Sequence, residues 1–202
     1  MNHRKLFGGV VALLLAAAFA QPVSAQRAGQ WMWNAKYSTV MGMGDTSDFA
    51  GGFSWRGATF DIERATSDNF SVGLTVGWHV LDEKNAGTSF FDQGAISGTA
   101  FRYVNSAPIL LTGNYFAGSR GAVRPYIGVG AGTYWIENRT EAGVFAIENS
   151  NWHLGLMGEA GLAIPRPGGT SLTLSARYNW GLETNDTERQ YWTFSLGYSV
   201  GN

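Results

Sequence analysis

The sequence predicts an all-β protein: an eight-stranded antiparallel up-and-down transmembrane β-barrel. Three observations carry this. Apolar and polar residues alternate with a period of two through long runs, and the segments between the runs are alternately short and long. The composition agrees: 45% of 202 residues are hydrophobic, yet mean hydropathy is only −0.09, so the two kinds are finely interleaved. Charged residues make up 14%, against roughly 25% in an ordinary domain. Such a chain is too apolar for disorder, lacks the triplet period of collagen, and has too few charges for a coiled coil. It contains no Cys, which removes disulfide scaffolds, zinc–thiolate sites, cysteine nucleophiles and a lipoprotein anchor. A net charge of −1 gives no basic surface for nucleic acid.

The first element is a targeting segment. Met1 to Lys5 is a short positive start, Leu6 to Ala20 is apolar, and Gln21-Pro-Val-Ser-Ala25 breaks the run with small residues. That order predicts a secretory signal peptide over residues 1–25, because the apolar run is shorter than the ~20 residues a spanning helix needs. Residues 26–202 then form one exported domain, and an exported chain without Cys fits a bacterial envelope.

The strands follow in order. The first sets Trp31, Trp33, Ala35, Tyr37, Thr39 and Met41 against Asn34, Lys36 and Ser38; the second sets Ala58, Phe60 and Ile62 against Thr59, Asp61 and Glu63. The third alternates from Phe70 to Val80, with Ser71, Gly73, Thr75, Gly77 and His79 on its polar face. The fourth sets Phe101, Tyr103, Ala107, Ile109, Leu111 and Tyr115 against Arg102, Ser106, Thr112 and Asn114. The fifth sets Ile127, Val129, Ala131 and Trp135 against Tyr126, Tyr134 and three glycines, Gly128, Gly130 and Gly132. The sixth runs from Trp152 to Ile164, the seventh from Leu172 to Trp180, the eighth from Trp192 to Val200. The clearest runs exceed the ~5–6 residues of a soluble strand and match the ~9–11 that a tilted strand needs to cross hydrocarbon. A soluble barrel would need the apolar face inside. Here the second face is Gly, Ser, Thr, Asn and a few charges, a poor soluble core but a fit to a narrow polar lumen.

The connections Ala65–Asn69, Ala117–Val123 and Pro165–Gly169 read as periplasmic turns. Gly42–Ser54, Asp82–Gly98, Asn138–Asn151 and Glu183–Gln190 read as outer loops. Aromatic residues gather near strand ends: Trp78, Trp135, Trp152, Trp180 and Trp192 towards the loops, Trp31 towards the turns. They predict the two girdles of a membrane barrel.

The run Asn105-Ser-Ala-Pro-Ile-Leu-Leu-Thr-Gly-Asn-Tyr-Phe116, followed by Arg124-Pro-Tyr-Ile-Gly-Val-Gly-Ala-Gly132, resembles the small outer-membrane β-barrel family that groups with the OmpA, OmpX and OmpW transmembrane domains. The resemblance extends over residues 26–202. It implies a bacterial outer-membrane location, with membrane lipid, lipopolysaccharide and the barrel assembly machinery as partners. It implies no single activity, because such barrels host many roles. Many relatives end on an aromatic residue, whereas this sequence ends Tyr198-Ser-Val-Gly-Asn202.

The inward positions collect Lys36, Arg102 and Arg177 against Asp61, Glu63 and Glu159. Counting register from the turns sets Glu159 opposite Arg177 and Lys36 near Asp61. These six are expected to form a charge network that plugs the lumen, since charges taken out of water must be paired; an ion path lined by the same groups is the alternative. His79 and His153 have inward parity near the loop end and read as polar lining. Two enzymatic relatives of the family, a lipid A deacylase type and a palmitoyltransferase type, imply a His-x-Ser strand motif or a loop-facing His with an Asp-Ser pair. Here His153-Leu-Gly155 has Gly in the nucleophile's place, and Ser67-Asp68 lies on a turn remote from both histidines. No catalytic residue, cofactor or metal site is assigned. Gly128-x-Gly130-x-Gly132 lacks a following helix and a P-loop lysine. The expected role is structural or surface-interactive, with loops meeting lipopolysaccharide, neighbouring proteins or a host surface. A narrow channel for small or hydrophobic solutes, with a lateral exit beside Pro108 or Pro125, is the alternative; a lipid A-modifying enzyme ranks below both.

Overall fold

A period of two gives every strand one apolar and one polar face, and closing the sheet decides which face meets which solvent. In the computed structural model, described over residues 28–91, 94–119, 121–142, 145–184 and 187–201, the apolar face turns outward. Eight strands, β1 (Trp31–Met43), β2 (Phe53–Ala65), β3 (Phe70–Phe91), β4 (Gly94–Phe116), β5 (Arg124–Ala142), β6 (Phe145–Arg166), β7 (Thr170–Thr184) and β8 (Thr187–Gly201), form a closed barrel in chain order. All neighbours are antiparallel, and β1 pairs with β8 to close the ring. Closure leaves no edge with unpaired backbone groups, the condition a sheet must meet in hydrocarbon. The signal-peptide expectation falls on residues outside those described.

The alternation sorts as the sequence implies. On β2, Ala58 and Phe60 are exposed while Thr59, Asp61 and Glu63 are buried; on β6, Leu154 and Leu156 are exposed while His153, Met157 and Glu159 are buried. The turns are tight. Gly168 and Gly169 both have positive φ, 82° and 75°, a region glycine enters without steric cost.

The outer connections need correction. The stretches Asp82–Gly98, Asn138–Asn151 and Glu183–Gln190, read as loops, lie mostly in strands. The β3–β4 ladder continues to Phe91↔Gly94 and the β5–β6 ladder to Ala142↔Phe145. The sequence stops alternating there, but backbone pairing needs no alternation to continue. The connection Gly42–Ser54 holds a short helix, α1 (Asp45–Phe49). A bulge lies between β1 and β2, where Ser38 pairs with Gly57 but Val40 with Ser54. It turns both Trp55 and Arg56 outward, as an extra residue in one strand does.

Candidate functional site

The lumen is built in layers, and register sets each one. Nearest the turns, Ser71 Oγ donates to Glu63 Oε2 at 2.5 Å and Thr173 Oγ1 to Asn34 Oδ1 at 3.3 Å. Glu63, Asn34 and Thr173 border a cavity of about 70 Å³ lined also by Arg124, Tyr126 and Ser199, large enough for a few waters.

Above it lies a buried quartet. Glu159 and Arg177 are register partners on β6 and β7, with Arg177 Nη2 2.5 Å from Glu159 Oε2 and 3.4 Å from Asp61 Oδ1. Lys36 Nζ completes the ring, 3.0 Å from Asp61 Oδ2 and 2.7 Å from Glu159 Oε1. Two neutral donors add to it: Thr75 Oγ1 to Asp61 Oδ1 and Tyr126 OH to Glu159 Oε1, both at 2.7 Å. The ring balances two cations against two carboxylates, the arrangement that makes buried charge tolerable. Space for it comes partly from glycine. A Cβ on Gly161 would stand 2.6 Å from the Tyr126 ring, and one on Gly155 2.5 Å from that of Tyr134.

Of the six charged residues grouped from sequence, the structure brings four together. Glu63 sits one layer towards the turns. Arg102 has inward parity but lies far beyond: it pairs with Glu83, whereas Asp61 pairs with Thr75, an offset of roughly 26 Å along β3 at the usual rise per residue. Its guanidinium lies 5.5 Å from the Phe49 ring centre, and that of Arg189 lies 5.8 Å from the same ring.

The third layer is a chain of hydroxyls around His79. Ser38 Oγ lies 2.7 Å from Ser195 Oγ, Thr59 Oγ1 lies 3.0 Å from His79 Nε2, and the Tyr191 hydroxyl lies 3.0 Å from His79 Nδ1 and 2.9 Å from Ser106 Oγ. Register supplies both hydroxyls to His79 from other strands. Both His79 nitrogens are thus engaged and the ring is fully buried, so it serves as a cross-link. His153 Nδ1 donates to the Leu182 carbonyl at 2.9 Å.

The fourth layer was not expected. Val40, Ala50, Leu81, Val104, Ile136, Met157 and Tyr191 form a buried apolar cluster inside the barrel, with Phe49 packed against it. Helix α1 closes the mouth above. Gln190 N donates to Thr46 Oγ1 at 3.0 Å and Gly51 N to Glu83 Oε2 at 2.6 Å. The sequence signal was present as pairs of adjacent apolar residues, Tyr103-Val104, Trp135-Ile136 and Tyr191-Trp192, where one residue of each is buried and the other half-buried; Val80 and Leu81 are both buried.

The aromatic residues line the outer wall. Trp31, Trp78, Trp152 and Trp180 are exposed, while Trp135 and Trp192 are half-buried by neighbours: Trp135 stacks on Trp78 at 5.7 Å and Trp192 on Phe194 at 6.2 Å. Trp33 and Trp55 also face outward. Among the described residues, no group of three His, Cys, Asp or Glu could hold a metal ion.

A model of the outer membrane protein beta-barrel domain family matches residues 10–199. No curated relative matches the chain. Among solved structures, the chain is similar to a major outer membrane protein from Thermus thermophilus, at 16% identity and TM-score 0.55, covering 87% of this chain and all of that one. It is similar to the N-terminal β-barrel domain of Pseudomonas aeruginosa OprF, at 16% identity and TM-score 0.54, covering 88% and 100%. The neisserial surface protein A follows at 15% identity and TM-score 0.53, covering 85% and 95%.

Proposed function

This chain belongs to the outer membrane protein beta-barrel domain family, and from that premise we propose that it is a closed barrel of the bacterial outer membrane whose work is structural or lies on its outer surface. One observation carries the reading: two unlike seals stand in series within the lumen. The charged ring of Lys36, Asp61, Glu159 and Arg177 fills the middle. The layer around Leu81, Val104 and Ile136 closes the outer end. An ion could exchange places with the first only by breaking buried pairs, and it would lose its hydration at the second. Eight strands leave an interior that side chains can fill, and beyond the small cavity near the turns the charged and apolar layers occupy it.

What remains accessible is the outer end. The β5–β6 hairpin carries the Arg139–Glu141 and Arg139–Glu148 pairs at 2.6 and 3.0 Å, with Ile147 exposed beside them, a mixed surface suited to lipopolysaccharide, a neighbouring protein or a host surface. Export by residues 1–25 and insertion by the barrel assembly machinery belong to the same proposal. Planar-bilayer recording of the refolded protein tests it: the expected result is silence across the voltage range, and stepwise openings would overturn it.

A narrow channel has one observation in its favour. The β3–β4 ladder runs to Val76↔Ile109 and resumes at His79↔Ser106, interrupted where Pro108 brings no N–H. Faster uptake of a small apolar solute by proteoliposomes, lost when Pro108 is replaced by Val, would favour that route.

A further inference from the structure

We propose that the outer wall near the turn end holds one phospholipid of the inner leaflet, with its phosphate on Arg64 and an acyl chain in the furrow that runs from Arg64 across β3 to β5. The inference uses the outer-membrane orientation read above, and it does not depend on the lumen being closed.

The cation comes first. Arg64 faces outward near the end of β2 and is exposed. Its guanidinium lies 5.7 Å from the centre of the Trp31 ring, its register partner on β1. Among the described residues it has no carboxylate partner. A lipid-facing charge is tolerated only at headgroup depth, where its stem lies along apolar surface and its head reaches the interface.

The position along β2 agrees. Between Arg56 and Arg64 the outward residues are Ala58, Phe60 and Ile62, all apolar. Eight residues span roughly 26 Å along the strand, and a tilt of about 40° brings this to roughly 20 Å, close to the ~25 Å apolar band of such barrels. Arg56 therefore belongs to the loop-side interface and Arg64 to the turn-side one. Lipopolysaccharide in the outer leaflet cannot reach Arg64; a phospholipid of the inner leaflet can.

The furrow starts at this cation. Register lines up Arg64, Val72, Gly113 and Val129 across four strands, with Ile62, Leu74, Leu111 and Ala131 forming the row above. The Phe70 ring covers Gly113 from one side, and beside it a shallow, open groove is bordered by Trp31, Arg64, Leu74, Leu111 and Val129. Apart from Arg64 its outward side chains are apolar. A fixed positive charge at the mouth of an apolar trough matches a molecule with an anionic head and a hydrocarbon tail. A second copy of this barrel in the same membrane would bring another Arg64 to the same face, and the two charges would repel.

Native mass spectrometry of the folded protein, exchanged into micelles containing phosphatidylglycerol and phosphatidylethanolamine, tests the site. The expected result is one retained phospholipid on the unmodified protein and on Arg56→Gln. Retention should fall about fivefold in Arg64→Gln, the effect of one basic residue at an anionic surface, and recover in Arg64→Lys. Filling the trough with Ala131→Phe should also reduce it. Unboiled gel mobility reports that each variant is a closed barrel independently of lipid. Equal retention in Arg64→Gln and the unmodified protein would overturn the proposal, as would retention lost equally in Arg56→Gln. Pore openings in a bilayer would refute the closed lumen and leave this site standing.

Discussion

Replacing Arg177 by Met removes one cation from a ring that balances two against two. Both partners stay where they are, because Asp61 and Glu159 sit on different strands fixed by their own ladders. Arg177 lies 3.4 Å from Asp61 and 2.5 Å from Glu159. At an effective dielectric constant of about 20, a pair at 3.4 Å attracts by about 5 kcal/mol. The desolvation that the arginine itself no longer suffers offsets part of this. Lys36 still pairs with both carboxylates, at 3.0 and 2.7 Å, and one excess negative charge remains. The net cost should be about 3–5 kcal/mol, as for breaking other buried pairs from one side. Urea unfolding in lipid vesicles, followed by tryptophan fluorescence and by the fraction of fast-migrating protein on unboiled gels, measures it. Changing Glu159 to Gln in the same chain should recover much of the loss, because one cation then faces one carboxylate. Neither variant should conduct, since the layer around Leu81 and Val104 is untouched. A loss below about 1 kcal/mol, the size of an exposed pair, would refute the view that the ring is dry and mutually dependent.

Three other outcomes are expected. Boiling should shift the gel mobility of the detergent-solubilised protein, because a ring of eight paired strands offers no free edge from which cold detergent can open it; an unchanged band would refute the closed barrel. Gly161→Val places a Cβ 2.6 Å from both the Tyr126 ring and the Leu174 carbonyl oxygen, and should lower stability by about 1–3 kcal/mol in the same urea assay. Phe49→Ala removes the ring shared by Arg102 and Arg189, contacts worth about 0.5–1 kcal/mol each at exposed sites. It should speed protease cleavage between residues 44 and 52 and lower stability in the urea assay by no more than about 2 kcal/mol, and an unchanged cleavage rate would refute the closure of the mouth by α1.

The membrane-spanning part was legible in the sequence because hydrocarbon imposes one rule on every strand. From Trp152 to Ile164 each second residue must be apolar or small, and a register counted from the turn at Pro165–Gly169 sets Glu159 against Arg177, as the ladder has it. The rule stops at the interface. The strand continues past Asp82 to Phe91, where the sequence no longer alternates. Arg102 shows the same limit: parity gives the face a residue points to but not its height. The bulge at Trp55-Arg56 was hidden because a slip of one residue resembles the start of a strand. The apolar layer was hidden because Leu81 or Ile136 beside an outward neighbour reads as the end of a pattern.

The β1–β8 seam differs from the other ladders in what it demands of the chain. Each of the other seven joins neighbours in sequence and can zip from its own turn, whereas the seam matches Trp33 with Val200 and Ser38 with Ser195. Local ladders form fast and distant ones form slowly. The seam is therefore the step at which an open, curled sheet commits to a ring. Lys36 stands on the first strand and Glu159 on the sixth, so the charge ring assembles only at that moment. Interactions completed last contribute to the barrier against coming apart rather than to the rate of coming together. The lifetime of the native state, more than its speed of formation, is then written into four residues at the centre of the lumen.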